Sequence, residues 1–504
     1  MDRTSGVLMH ISSLPNRYGI GSFGQSAYEF VDFLVAGKQT YWQILPLTTT
    51  SFGDSPYQSF SAFAGNTYFI DLDMLIEEGL LEASDLDGID FGQDPYDIDY
   101  GLIFQSRQMI LQKAVDRFQQ QEDKSDYARF VSEHNFWLDP FAEYMAIKES
   151  FGLVEWTKWD EDIRRRDPQA LAVYRQKLEK EMEYHRVTQY FFFKQWFALK
   201  DYANQHGIQI IGDMPIYVAA DSVEMWATPE YFKVDENNVP TVVAGTPPDG
   251  FSEDGQYWGN PIYDWDYMKE TNYDWWVTRV RESLKLYDCV RIDHFRGFES
   301  YWEVPYGSPT SASGSWAKGP GYDLFRVIKE QLGETNIIAE DLGFMTQEVI
   351  DMREATGFPG MRILQFGFNG HEDSTDLPHH YVENTVAYVG THDNETAMGW
   401  YGHASDQQKA QLDAYLGRRP GETPAQALNR GIAASVSRMA IYTMQDLLSL
   451  DNTARMNEPS TIGKNWKWRV NADMLTDQLS QDLAQLSETY FRVNSSLNKT
   501  TRDE

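Results

Sequence analysis

The sequence predicts a (β/α)8 barrel, a TIM barrel carrying helical and loop insertions. Three observations predict it: short β-rich runs alternate with amphipathic helices, acids and histidines gather at the C-terminal ends of those runs, and 504 residues suit one elaborated barrel. The runs are YWQILPL (41 to 47), IQIIGDMPI (208 to 216), CVRIDHF (289 to 295), NIIAEDLG (336 to 343), MRILQF (361 to 366) and VAYVGTHD (386 to 393). Between them, Trp276, Val280, Leu284 and Tyr287 recur on one face of a helix predicted over 273 to 287.

No repeat, low-complexity tract or Pro/Gly/Ser-rich linker divides the chain, so residues 1 to 504 read as a single catalytic barrel. Two blocks exceed a minimal barrel. Residues 75 to 206 read as a helix-rich, charged insertion, and residues 218 to 265 as a loop-rich one. Within the first, Phe191, Phe192, Phe193, Trp196 and Phe197 have the spacing of helix packing rather than of a ligand box. The stretch after Arg469 is too short for a C-terminal β-sandwich domain, which needs about 100 residues.

Composition narrows the function classes. A net charge of -33 disfavours nucleic acid and anionic membrane as partners, whereas a neutral ligand meets no electrostatic penalty. The 15 Trp, 29 Tyr and 28 Phe supply apolar faces of the kind on which sugar rings stack, although most aromatics are core. No apolar run approaches the roughly 20 residues of a membrane span. The lone Cys289 and an N-terminus without a basic and then apolar leader point to a cytoplasmic protein.

The strand ends carry the chemistry. Retaining cleavage of a glycoside needs a nucleophilic carboxylate and a proton-donating carboxylic acid about 5 to 5.5 Å apart. Arg291 and Asp293 share one face of a strand by its two-residue period, so the guanidinium is expected to keep Asp293 ionised. Glu340 and Asp341 point to opposite sides, and spacing alone does not choose between them; apolar neighbours Ile338 and Leu342 favour Glu340 as the acid with a raised pKa. Taken singly, each of these acids reads equally well as an ion-pair partner, and His392 with Asp393 as a structural pair; their convergence on one barrel mouth favours catalysis. His294, His392 and the acids lack a compact metal-ligand spacing, and no glycine-rich phosphate loop is present, so no metal and no cofactor is expected.

These residues lie in runs that resemble the 4-α-glucanotransferases, the amylomaltases or disproportionating enzymes of glycoside hydrolase family 77. The runs are GVLMHISSLPNRYGIGSFG (6 to 24), SPYQSFSAFAGN (55 to 66), GDMPIYVAADS (212 to 222), PPDGFSEDGQYWGNPIY (247 to 263), VRIDHFRGF (290 to 298), IIAEDLG (337 to 343), GTHDNET (390 to 396) and RMNEPSTIGKNWKWR (455 to 469), in the family's order. The resemblance implies that Asp293 is the nucleophile, Glu340 the general acid and base, and Asp393 the carboxylate that grips the 2- and 3-hydroxyls of a distorted ring. It implies Arg291 as support for the nucleophile, His294 and His392 as sugar hydrogen-bonding partners, Asp213 as a ring-binding residue, Tyr57 as a stacking platform, and Asp249, Gln256 and Trp258 as a lid over the leaving-group side. Asn457 falls among the substrate contacts, where NEPST departs from the usual order, as does Glu395 in GTHDNET.

The implied activity is retaining transfer of an α-1,4-glucan segment to the 4-hydroxyl of an acceptor glucose or maltooligosaccharide. An α-glucan hydrolase with the same trio and a catalytically silent glucan-binding protein are the alternatives. Water in place of a sugar acceptor distinguishes the first, and insensitivity to loss of Asp293 the second.

Overall fold

The computed structural model describes residues 3–51, 53–248, 253–371 and 374–494. Twelve strands follow in chain order: β1 (Thr4–Leu8), β2 (Tyr41–Gln43), β3 (Gln209–Met214), β4 (Val242–Thr246), β5 (Gln256–Pro261), β6 (Cys289–Ile292), β7 (Ser300–Pro305), β8 (Ser315–Lys318), β9 (Ile337–Ala339), β10 (Gly360–Ile363), β11 (Thr385–Tyr388) and β12 (Met439–Thr443). Eight of them close into a parallel barrel in the order β1-β12-β11-β10-β9-β6-β3-β2. The expected barrel is thus the observed fold.

Closure runs through β1, which pairs with β2 and β12 in parallel register, Gly6 opposite both Tyr41 and Ile441. A methyl group on Gly6 would lie 2.6 Å from the Cβ and carbonyl oxygen of Tyr41, so only glycine admits this approach. Sequence patterning missed β1 and β12, TSGVL and MAIYT, neither of which ends in the charged cluster that marked several of the other strands. The strands that it did find end earlier than expected: β6 stops at Ile292 and β9 at Ala339, which leaves Asp293 and Glu340 on the connections beyond.

Inside the barrel, Leu8, Tyr41, Ile211, Cys289, Ile338, Met361, Tyr388 and Ile441 form one packed cluster. Such filling makes the barrel a solid core rather than a pore and leaves its C-terminal rim as the open face. A second and larger cluster lies between the strands and the helices, where the Asp274–Leu286 helix buries Trp276, Val277 and Val280.

Residues 75 to 206 contain the helices Tyr100–Gln119, Ser125–Ser150, Pro168–Lys177 and Glu179–Gln205. Phe191, Phe192 and Trp196 are buried, and Trp196 Nε1 donates to Leu286 O at 3.1 Å, which ties the last of these helices to the barrel layer. Residues 218 to 265 are less loop-like than their Pro and Gly content suggests. They contribute β4 and β5, which join β7 and β8 in a four-stranded antiparallel sheet of order β5-β4-β7-β8. Short strands interrupted by a bulge carry too little periodicity to be read from sequence. No helix among the described residues is long and apolar enough to cross a membrane.

Candidate active site

Four carboxylates and one guanidinium meet at the C-terminal rim. Arg291, on β6, sends Nη1 to both oxygens of Asp213 on β3, at 2.8 and 2.7 Å, and Nη2 to Asp293 Oδ1 at 3.0 Å. The side chains of Arg291 and Asp213 are 3% and 0% exposed, so their pairing is enclosed, while Asp293 keeps 29% of its side chain open to the cleft. Asp213, expected to bind a ring, therefore offers no surface to a sugar here; its partners are Arg291 and Tyr57.

The chain turns sharply after Asp293. His294 adopts the left-handed conformation, φ 53° and ψ 45°, which a non-glycine residue enters only at an energetic cost. The turn aims the His294 N–H at Glu340 Oε2, 2.7 Å away, and Leu342 N–H donates to Oε1 at 3.0 Å. Phe295 N–H also donates to the Glu340 main-chain oxygen at 3.0 Å. The Glu340 carboxyl is thereby fixed beside the residue that follows Asp293. Asp341 is buried, bound by Arg353 Nη1 at 2.6 Å and by Met361 N–H at 2.7 Å, so its carboxyl is committed away from the cleft.

Burial raises the pKa of both Asp293 and Glu340. For Asp293, the pull of Arg291 is outweighed by burial together with the repulsion of Asp213, Glu340 and Asp393. Arg291, expected to keep Asp293 ionised, is shared between two carboxylates and does not offset burial. For Glu340, burial prevails over Arg291 and the two N–H donors.

Across the mouth, Tyr57 Oη donates to Asp213 Oδ2 at 2.6 Å and lies 2.9 Å from His392 Nε2. With the hydroxyl proton on Asp213, the imidazole Nε2–H is the donor in the second contact. The Tyr57 and His392 rings stack at 5.3 Å and 12°, with Trp466 tilted against both. His392 Nε2 lies 3.4 Å from Asp393 Oδ1, and Asn457 Nδ2 donates to the same oxygen at 2.6 Å.

Burial lowers His392 and, helped by the charge of Arg296, brings His294 down to about 3; both rings are neutral and suited to hydrogen-bonding hydroxyl groups. On the side formed by β5, Trp258 meets His294 edge to face at 4.9 Å, and its Nε1 donates to Gln256 Oε1 at 3.1 Å. Asp249 lies outside the described residues.

Sequence reading did not single out Arg455 or Trp466. Arg455 Nη2 donates to Asp393 O at 2.7 Å, and Trp466 walls the Tyr57 side. Both sit in the motif 455 to 469, yet their partners are distant in sequence, and no periodicity reports such contacts.

A closed parallel barrel with converging carboxylates on its C-terminal rim is the architecture of an enzyme whose active site lies at that rim. Comparison specifies which. The sequence model described as 4-alpha-glucanotransferase, for glycoside hydrolase family 77, matches residues 9–476. The 4-alpha-glucanotransferase of Streptococcus pneumoniae serotype 4 is 60% identical over 497 residues, covering 98% of each chain. That of Clostridium butyricum is 49% identical, covering 96% of this chain and 100% of its own. The amylomaltase from Streptococcus agalactiae, solved in complex with acarbose, superposes with a TM-score of 0.96 at 52% identity, covering 98% of this chain and 100% of its own. The chain belongs to the 4-alpha-glucanotransferase family, glycoside hydrolase family 77.

Proposed function

We propose that the protein cuts an α-1,4-glucan with formation of a covalent ester on Asp293 and passes the glycosyl segment to the 4-hydroxyl of a glucose or maltooligosaccharide. The observation that carries this reading is the bond from His294 N–H to Glu340 Oε2, which couples the acid to the chain position next to the nucleophile. In this reading the two carboxyls flank one glycosidic bond, as double displacement requires.

The roles follow from charge. Asp293 touches Arg291 and attacks as the anion; the proton that the crowded carboxyls retain sits on Glu340, whose two oxygens each accept one N–H and leave a site free to donate toward the departing 4-oxygen. Once the ester has formed, Glu340 is the base for the acceptor hydroxyl. Asp393 grips the 2- and 3-hydroxyls as positive charge develops at the anomeric centre. His294 and the exposed face of Tyr57 contact the sugars flanking the cut, His392 the ring being transferred, and Asp213 holds Arg291 and Tyr57 rather than the ring.

Residues 75 to 206 and 218 to 265 are read as insertions into one barrel, the second forming a lid. Gln256 and Trp258 on β5 border the leaving-group side, where an acceptor held against the ester gains a proximity advantage over water. A cytoplasmic setting is part of this reading, and the lone cysteine suits it. Incubation with maltotriose tests the assignment: glucose plus a ladder of longer oligomers is expected, and shortened products alone overturn it in favour of hydrolysis.

A further inference from the structure

We propose that Arg455 and Asn457 are positioning residues that clamp Asp393 against the sugar; the proposal rests on the reading of Asp393 given above. Asp393 stands on a loop, 5 residues beyond the end of β11, with 40% of its side chain exposed. Its own N–H reaches Thr391 Oγ1 only at 3.4 Å, and its neighbour His392 is equally distant at 3.4 Å. The same mouth holds the carboxyls of Asp213, Asp293 and Glu340, and like charge pushes an exposed carboxylate outward.

The segment 455 to 457 opposes that push from two sides. Asn457 Nδ2 holds Asp393 Oδ1 at 2.6 Å, and Asn457 N–H holds the His392 carbonyl at 3.0 Å. Arg455 spans the pair, with Nη2 on Asp393 O at 2.7 Å and Nε on Asn457 O at 2.8 Å. These bonds fix the loop backbone and one carboxylate oxygen together, so the second oxygen is left to face the cleft.

The clamp has a firm base. Met456, between the two residues, is buried with Trp466 against the barrel interior, and Trp466 N–H donates to Met456 O at 2.7 Å. Sequence reading placed Asn457 among the sugar contacts, but its amide nitrogen is committed to Asp393.

The test uses α-maltotriosyl fluoride and its analogue lacking the 2-hydroxyl on the fluorinated ring, with glucose as acceptor and fluoride release as readout. The wild-type protein shows a penalty in kcat/KM for losing that hydroxyl. Asp393→Asn reduces the penalty, and Asn457→Ala and Arg455→Ala each reduce it at least fivefold, with kcat falling more than KM rises. Arg455→Lys recovers part of it, and the near-isosteric Asn457→Asp, which swaps the donor for a like charge, is the most impaired. Wild-type penalties in Asn457→Ala, Asn457→Asp and Arg455→Ala overturn the clamp, whether or not overall activity drops. A full penalty in Asp393→Asn instead overturns the role of Asp393 itself, and the clamp with it.

Discussion

Tyr57 Oη donates a hydrogen bond to Asp213 Oδ2 at 2.6 Å and so joins the segment after β2 to β3 at the catalytic mouth. Burial and the Asp213 charge hold the phenol well above its ordinary pKa, so it remains a donor at any working pH. Removing the hydroxyl in Tyr57→Phe leaves an enclosed carboxylate one donor short. A hydrogen bond to a charged group contributes about 1.5 kcal/mol, so kcat/KM on maltotriose should fall roughly tenfold. An unchanged rate would mean that Arg291 alone positions Asp213.

Glu340→Gln separates proton donation from nucleophilic attack. Loss of a general acid costs about 10² to 10⁴ in rate when the leaving group needs a proton. That loss should appear with maltotriose and shrink with an α-glucosyl fluoride donor, whose fluoride leaves unprotonated. Equal losses on both donors would contradict the acid role.

Catalysis also has a pH signature. Because burial and neighbouring acids raise Asp293, the acid limb of the maltotriose kcat/KM profile should lie above the ordinary carboxylate range, since activity appears only as Asp293 deprotonates. The alkaline limb reports ionisation of Glu340, also raised by burial. Asp213→Asn removes one of the repelling charges and frees Arg291 for Asp293, so the acid limb should move to lower pH. A limb that moves upward or stays in place would rule out this electrostatic account.

Trp258→Ala should raise the ratio of hydrolysis to transfer. An aromatic contact with a ring contributes about 1 kcal/mol, so the ratio should rise by about fivefold. Glucose and oligomer yields from maltotriose give it directly, and a ratio equal to that of the wild type would exclude β5 from the acceptor side.

Asp446 offers a stability test with a definite sign. Burial raises its carboxyl to about 6, and the N–H of Ala397 at 2.7 Å and Thr443 only partly compensate. The folded state thus binds this proton more tightly than the unfolded chain, so stability declines as pH climbs from about 4 through 6. Asp446→Asn removes the titration. Relative to the wild type its melting temperature should improve between pH 4 and pH 7.5, equivalent to as much as about 3 kcal/mol. A pH-independent difference would refute the assignment. Buried His10, lowered to about 3 by burial and the nearby His392, acts oppositely, destabilising the fold as pH falls below about 6.5.

The barrel was legible where a strand is apolar and ends in charge, as in CVRIDHF, because burial on both faces writes itself into composition. It was not legible in β1, where Gly6 stands at the closure because Tyr41 of β2 leaves no room for a side chain, and where the other neighbour, β12, lies more than 430 residues away. The acids were legible as candidates, yet Asp341 was separated from Glu340 only by Arg353 and the Met361 N–H, contacts that no local pattern encodes. Likewise, Asp213 looked like a ligand for sugar until its enclosure between Arg291 and Tyr57 was seen.

The left-handed turn at His294 also limits how this scaffold can be re-engineered. An inverting outcome needs the two carboxyls moved apart, to about 6.5 to 9.5 Å, with room for a water between them. Here the turn presents the His294 N–H to Glu340 Oε2 at 2.7 Å, so shortening Glu340 to Asp would withdraw the carboxyl from this donor as well as from its partner acid. The place of the acid is therefore set by the main chain as well as by its own side chain.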